Sequence, residues 1–104
     1  MQDLVNEITD CIEREYRRAA EKHGERHSSP HEAYAVILEE FEEAMEDIVA
    51  VRSALDNMWN ATKDNKKTLA SVSTLETAAT MAAAELVQVA AMAKKAGLGY
   101  GHTA

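Results

Sequence analysis

From Ile37 to Met58 the apolar residues Ile37, Phe41, Ala44, Ile48, Val51, Leu55 and Met58 recur at alternating intervals of four and three. Such spacing is the seam of a helix packed in a bundle; a strand, whose side chains alternate every two residues, cannot gather these positions on one face. A run this long commits the chain to helical packing. A second stripe, Leu75, Ala78, Ala82, Val89, Met92 and Ala96, repeats the pattern nearer the C-terminus, and Glu85 falls in its middle. A carboxylate so placed must protonate, pair or bind a metal, because a bare charge in apolar surroundings is expensive.

Punctuation around the stripes predicts three long helices. The first runs from about Asp3 to His23, with Leu4, Ile8, Cys11, Ile12 and Ala19 on one face and Gly24 as its stop. After a polar connector, Ser29 caps a second helix, Pro30 suits its first position and Glu32 completes a capping box. That helix extends to about Trp59. The stretch Asn60 to Val72 reads as a polar connector with room for one short helical turn, and Ser73 with Glu76 offers a capping box for a last helix ending near Ala96. Gly97, Gly99 and Gly101 then mark residues 98–104 as a flexible tail. With no strand pattern and no internal repeat, the expected fold is all-α: an antiparallel bundle in a single domain, residues 1–97.

Composition narrows the partners. One Trp, three Tyr and one Phe leave the core to Ala, Val, Leu, Ile and Met, which favours close helix packing and burial between subunits. Leu38, Met45 and Val49, lying beside the main seam, point the same way, to a homodimer or tetramer. A net charge of −7 argues against a nucleic-acid polymer or an anionic membrane as the main partner. No run reaches membrane-spanning length, and Asp3, Glu7 and Asp10 interrupt any signal-like start, so a cytoplasmic protein is expected. Cys11, the single cysteine, reads as a small core residue.

At ~100° per residue, Glu40, Glu43 and Asp47 flank one edge of the seam, whereas Glu39, Glu42 and Glu46 face solvent. Gln88 lies one turn beyond Glu85, so Glu85 and Gln88 form an inward pair on the last helix. Oxygen donors on two facing helices suit Mg²⁺ or Mn²⁺, which take carboxylates together with water and phosphate. His23, His27, His31 and His102 are scattered and read as surface or capping residues rather than zinc ligands. Lys95 shares a side of its helix with Gln88, within reach of phosphate oxygens. Glu15 interrupts the first helix's apolar face with Lys22 near it, so both can border a base or sugar pocket or form ion pairs. Tyr34, Trp59, Met45, Met81 and Met92 read first as packing residues.

Glu39-Glu40-Phe41-Glu42-Glu43 fits the E-E-x-x-E motif of the MazG-like all-α nucleoside triphosphate pyrophosphohydrolases, and Glu85-Leu86-Val87-Gln88 takes the place of their E-x-x-D motif. The wider segment from His27 to Glu40 resembles the small MazG-like proteins of phages and prophages, and with Glu85 to Lys95 the resemblance covers about half the chain. It implies a helical dimer or dimer of dimers that binds Mg²⁺ and splits a nucleoside or deoxynucleoside triphosphate into monophosphate and pyrophosphate. By motif position, Glu40, Glu43 and Glu85 would be metal ligands and Glu39 would orient or activate a water. Two departures stand out. Gln88 replaces the motif's Asp, for which Asp47 is a nearby substitute, and the interval from Glu43 to Glu85 is longer than in the family. The rival reading is a non-catalytic helical oligomer of the same fold that binds nucleotide or a protein partner.

Overall fold

The structure, a computed structural model, describes residues 1–101. They form three helices that pack against each other: α1, Gln2–His23; α2, Pro30–Lys63; and α3, Leu69–Gly97. Among the described residues there is no strand, only an isolated bridge between His27 and Tyr100, and no helix is long and apolar enough to cross a membrane.

The start of α2 follows its sequence signals. The Ser29 hydroxyl accepts the Glu32 N–H at 3.1 Å, while the Glu32 carboxylate accepts the Ser28 hydroxyl, so the capping box closes on Ser28 instead of the Ser29 backbone. The end of α2 corrects the expected connector. The helix continues through Ala61 and Thr62 to Lys63, and α3 is already under way at Leu69, so no separate short helix forms and Ser73 lies inside α3. Asn65 supplies the stop. At φ 55° it is the one non-glycine residue with positive φ among those described, and its N–H donates to the Thr62 carbonyl at 3.1 Å. The Lys66 N–H reaches the Ala61 carbonyl at 2.8 Å, completing a Schellman motif in which asparagine stands where glycine is usual.

Contacts divide the chain into two compact units: Met1–Phe41 with the chain from Leu86 onward, and Glu42–Glu85. The first holds α1, the start of α2 and the end of α3. Its buried residues are Ala33, Ala91 and Met92 together with two polar side chains, His27 (1% exposed) and Lys95 (4%). The second is a helical pair whose buried residues are all alanine: Ala44, Ala54, Ala78 and Ala82. Small side chains let helix backbones approach closely, which is the packing an aromatic-poor sequence permits.

The stripe on α3 is its inner face, with Ala78, Ala82 and Met92 buried and Leu75, Val89 and Ala96 half-buried. The seam on α2 splits. Ala44 is buried and Ile37, Val51 and Met58 half-buried, whereas Phe41 (46% exposed), Ile48 (36%) and Leu55 (42%) form an outward row. Asp47 and Ala54 complete the inner face in their place. The expected core role of Cys11 is also corrected: no residue of α1 is fully buried, and the Cys11 thiol sulfur accepts from Arg14 at 3.1 Å. Tyr34 and Trp59, expected to pack, are 69% and 60% exposed, and Met45 and Met81 are exposed as well.

Two sequence expectations change near the C-terminus. His27, expected at the surface, is enclosed because its ring bonds the Met92 carbonyl at 3.2 Å while its own carbonyl accepts the Gly101 N–H at 2.9 Å. The stretch Leu98 to Gly101 is thereby paired to the connector; His102 and the rest of the expected tail lie outside the described residues.

Candidate metal centre

In the second unit, α2 presents Glu43 and Asp47 on one face, four residues apart, and α3 presents Glu85 from the middle of its apolar stripe. Glu43 and Glu85 each offer a carboxylate oxygen within 4.8 Å of the other. Glu40 lies three residues before Glu43 on the same unbroken helix, in the first unit. Asp47 and Glu85 are half-buried, while Glu43 is exposed.

The electrostatics of Glu85 follow from its position. Burial raises its carboxyl above the ordinary range, and the neighbouring Glu43 adds to the shift by charge repulsion and by a hydrogen bond, with Asp47 contributing repulsion. Its Oε2 is buried with no hydrogen-bond partner, a cost that a proton or a bound cation would offset. The donor set of carboxylate oxygens fits a hard divalent cation better than zinc. Glu39, Glu42 and Glu46 are exposed, on the outer side of α2 as their phase requires.

The remaining site residues from the sequence belong to the first unit, which contains an open cleft of about 520 Å³. Glu15, Lys22, Glu40 and Gln88 all line it, with Arg18 and Met92. The Gln88 amide nitrogen donates to Glu15 Oε1 at 2.8 Å, and Glu15 Oε2 pairs with Arg18 at 3.2 Å. Lys95 is elsewhere. It is buried, and its charge acts on Glu32, whose carboxyl is held below its ordinary value chiefly by the Ser28 hydroxyl.

Arg18 was not singled out by the sequence, although its place four residues before Lys22 puts the two cations on one face of α1. The burial of His27 had no signal in the sequence, because the Met92 carbonyl that its ring bonds is 65 residues away and its near neighbour, Glu32 at 3.9 Å, is itself exposed. The chain matches no protein-family model, no curated protein and no solved structure.

Proposed function

We propose that this chain is a small MazG-like nucleotide pyrophosphohydrolase of phage or prophage type, an antiparallel helical bundle acting in the cytoplasm as a homodimer or tetramer. The observation that carries the reading is the Glu43–Glu85 pair, in which a half-buried carboxylate with an unpartnered oxygen sits within 4.8 Å of a second one. Two carboxylates so close repel unless a proton or a cation lies between them. Mg²⁺, or Mn²⁺, is the cation the oxygen donors suit, held by Glu43 and Glu85 with Asp47 at hand and with Glu40 as the further ligand that the motif assigns. Bound there, it would neutralise triphosphate charge and position an attacking water.

The chain's own residues do the rest. Because its carboxyl is raised above the ordinary range, a proton and a cation would compete for Glu85, so binding would be linked to pH. Glu39, by its motif position, orients the water. The substrate is a nucleoside or deoxynucleoside triphosphate, and the products are the monophosphate and pyrophosphate. Outward apolar residues on α2 support self-association, since Ile48, Val49 and Leu55 are too exposed for a core made within one chain.

Gln88 favours a second reading. Its amide nitrogen is bonded to Glu15, so only its oxygen is suited to a cation, and the motif's negative charge is missing. A helical oligomer that binds nucleotide without cleaving it would keep everything else. The deciding experiment incubates purified protein and Mg²⁺ with a panel of NTPs and dNTPs, scoring pyrophosphate and nucleoside monophosphate separately from orthophosphate. Pyrophosphate with an equal amount of monophosphate supports the hydrolase; nucleotide binding without turnover supports the rival.

A further inference from the structure

The cleft of the first unit carries a donor and acceptor pattern of its own. Glu15 is its centre, accepting the Gln88 amide through Oε1 at 2.8 Å and pairing with Arg18 through Oε2 at 3.2 Å. A ligand edge laid along these three groups therefore meets an N–H donor, a carboxylate acceptor and a second N–H donor. Val36 and Met92 add apolar surface, against which a flat ring can pack. Lys22 and His23 line the same cleft, and Lys22 supplies positive charge in a chain whose net charge is −7. At about 520 Å³ the space falls within the range of small-molecule sites, ~300–1,000 Å³.

Only some bases complement that order. The imide edge of uracil or thymine runs carbonyl, N–H, carbonyl, so each atom meets its opposite. Cytosine and adenine place a ring-nitrogen lone pair against the Glu15 carboxylate. Guanine offers the central N–H, but its 2-amino group then sets a donor against Arg18. Purine rings also need more depth than one six-membered ring.

We infer that the cleft binds a pyrimidine nucleotide through the imide edge of uracil or thymine, with Gln88 and Arg18 donating to the two carbonyls and Glu15 accepting the ring N–H. The inference rests on the reading above for its choice of a nucleotide as ligand. The ring N–H replaces one protein donor on Glu15, and the displaced donor moves to the adjacent carbonyl, so the exchange conserves hydrogen bonds. Discrimination comes from the mismatched base, which sets a lone pair against the half-buried Glu15 carboxylate. Lys22 and His23 meet the phosphate.

The test is calorimetric titration with UMP, CMP and 3-methyluridine 5′-monophosphate in EDTA, so that no metal contributes. UMP should bind at least about tenfold more tightly than either of the others, since one lost base-edge pairing is worth roughly that much. Gln88→Met, close in shape, should weaken UMP about tenfold, and Glu15→Gln, whose amide can turn its N–H toward cytosine, should bring UMP and CMP within about threefold. Circular dichroism monitors the fold, and the N-methylated ligand decides the matter on wild-type protein even if a variant fails to fold. Equal affinity for UMP and CMP, undiminished binding of the N-methylated nucleotide, or no UMP binding at millimolar concentration would each overturn the inference. Uracil preference without pyrophosphate release upholds it and defeats the catalytic reading. Pyrophosphate release with no base preference does the reverse.

Discussion

The two units of this chain solve the problem of a small core in opposite ways. The first is tied together by polar contacts between residues far apart in sequence: His27 to Met92 and Gly101, Gln88 to Glu15, and Lys94 to Glu13 at 3.1 Å. The second buries four alanines and is tied across its helices by the Glu43–Glu85 hydrogen bond; its ion pair, Arg52 with Asp56 at 3.4 Å, lies on one helix. Polar ties specify one arrangement at some cost in desolvation, whereas alanine faces allow close approach and supply little apolar burial. A weakly buried helical pair needs something more to hold it. In the second unit the candidates are a cation on Glu43 and Glu85 and a second copy on the outward row of α2.

The largest effect should come from Glu85. If it holds the metal, Glu85→Gln abolishes pyrophosphate release, by about a hundredfold or more, and removes any stabilisation by Mg²⁺ while leaving the apo fold as stable or firmer. The pH dependence has a definite sign. Because the folded-state pKa of Glu85 is raised, the native state keeps its proton when the unfolded chain has lost it. Its contribution to stability is therefore full below the ordinary value of 4.5 and is lost as pH rises through the raised folded value. Mg²⁺ should offset that loss, so the rise in melting temperature with millimolar Mg²⁺ should be greater at pH 8 than at pH 5 in thermal scans. A rise equal at both pH values, or unchanged in Glu85→Gln, would put the cation elsewhere.

Next in size is self-association. Ile48→Glu places a charge in the outward row of α2 and should convert a dimer or tetramer to monomer, lowering the unfolding midpoint as assembly is lost. Light scattering across micromolar concentrations reads the mass directly. A stable, well-folded wild-type monomer would break the contrast drawn here, since the second unit would then stand without help.

How much of this could be read from the sequence differs along the same line. The stripe on α3 and the misfit of Glu85 were legible because a single helix face carries them, and no partner is needed to see the period. The seam on α2 was legible as a helix but not as a face. Its two rows, Ile37-Ala44-Val51-Met58 and Phe41-Ile48-Leu55, are equally apolar, and only packing chose the first as the inner one. The connector reads too long because Thr62 and Lys63 look polar, while the actual stop, Asn65, differs from an ordinary asparagine only in its φ. The enclosed His27 and Lys95 had no local signature at all. The Glu15–Gln88 bond spans 73 residues; Glu15 was legible as a break in an apolar face and Gln88 as the residue one turn beyond Glu85, but nothing in the sequence paired them.

A third comparison sets alanine packing against polar ties. Ala54→Leu, inserted into the inner face of the second unit at 2% exposure, should cost about 1–3 kcal/mol through overpacking. His27→Ala should cost a similar ~1–3 kcal/mol through the lost bond to the Met92 carbonyl and the space left behind. Denaturant melts distinguish the two by hydrogen exchange: Ala54→Leu should loosen amides of 42–85, and His27→Ala those of the first unit. Uniform loosening by both would mean that the units open together.

The smallest effect concerns the turn of the second unit, where the backbone itself is the test. Asn65 holds φ 55°, which asparagine tolerates better than other residues with a Cβ. Asn65→Ala should therefore destabilise by about 1 kcal/mol, while Asn65→Gly should be neutral or stabilising by a few tenths, the gain in φ freedom being partly cancelled by greater entropy in the unfolded chain. Urea denaturation of both variants, with matched m-values, checks the order Gly, Asn, Ala. If alanine proved as stable as asparagine, the Schellman stop would not be what ends α2. The boundary at Lys63 would then have to come from the start of α3 instead, and the second unit would owe its hairpin to packing rather than to its turn.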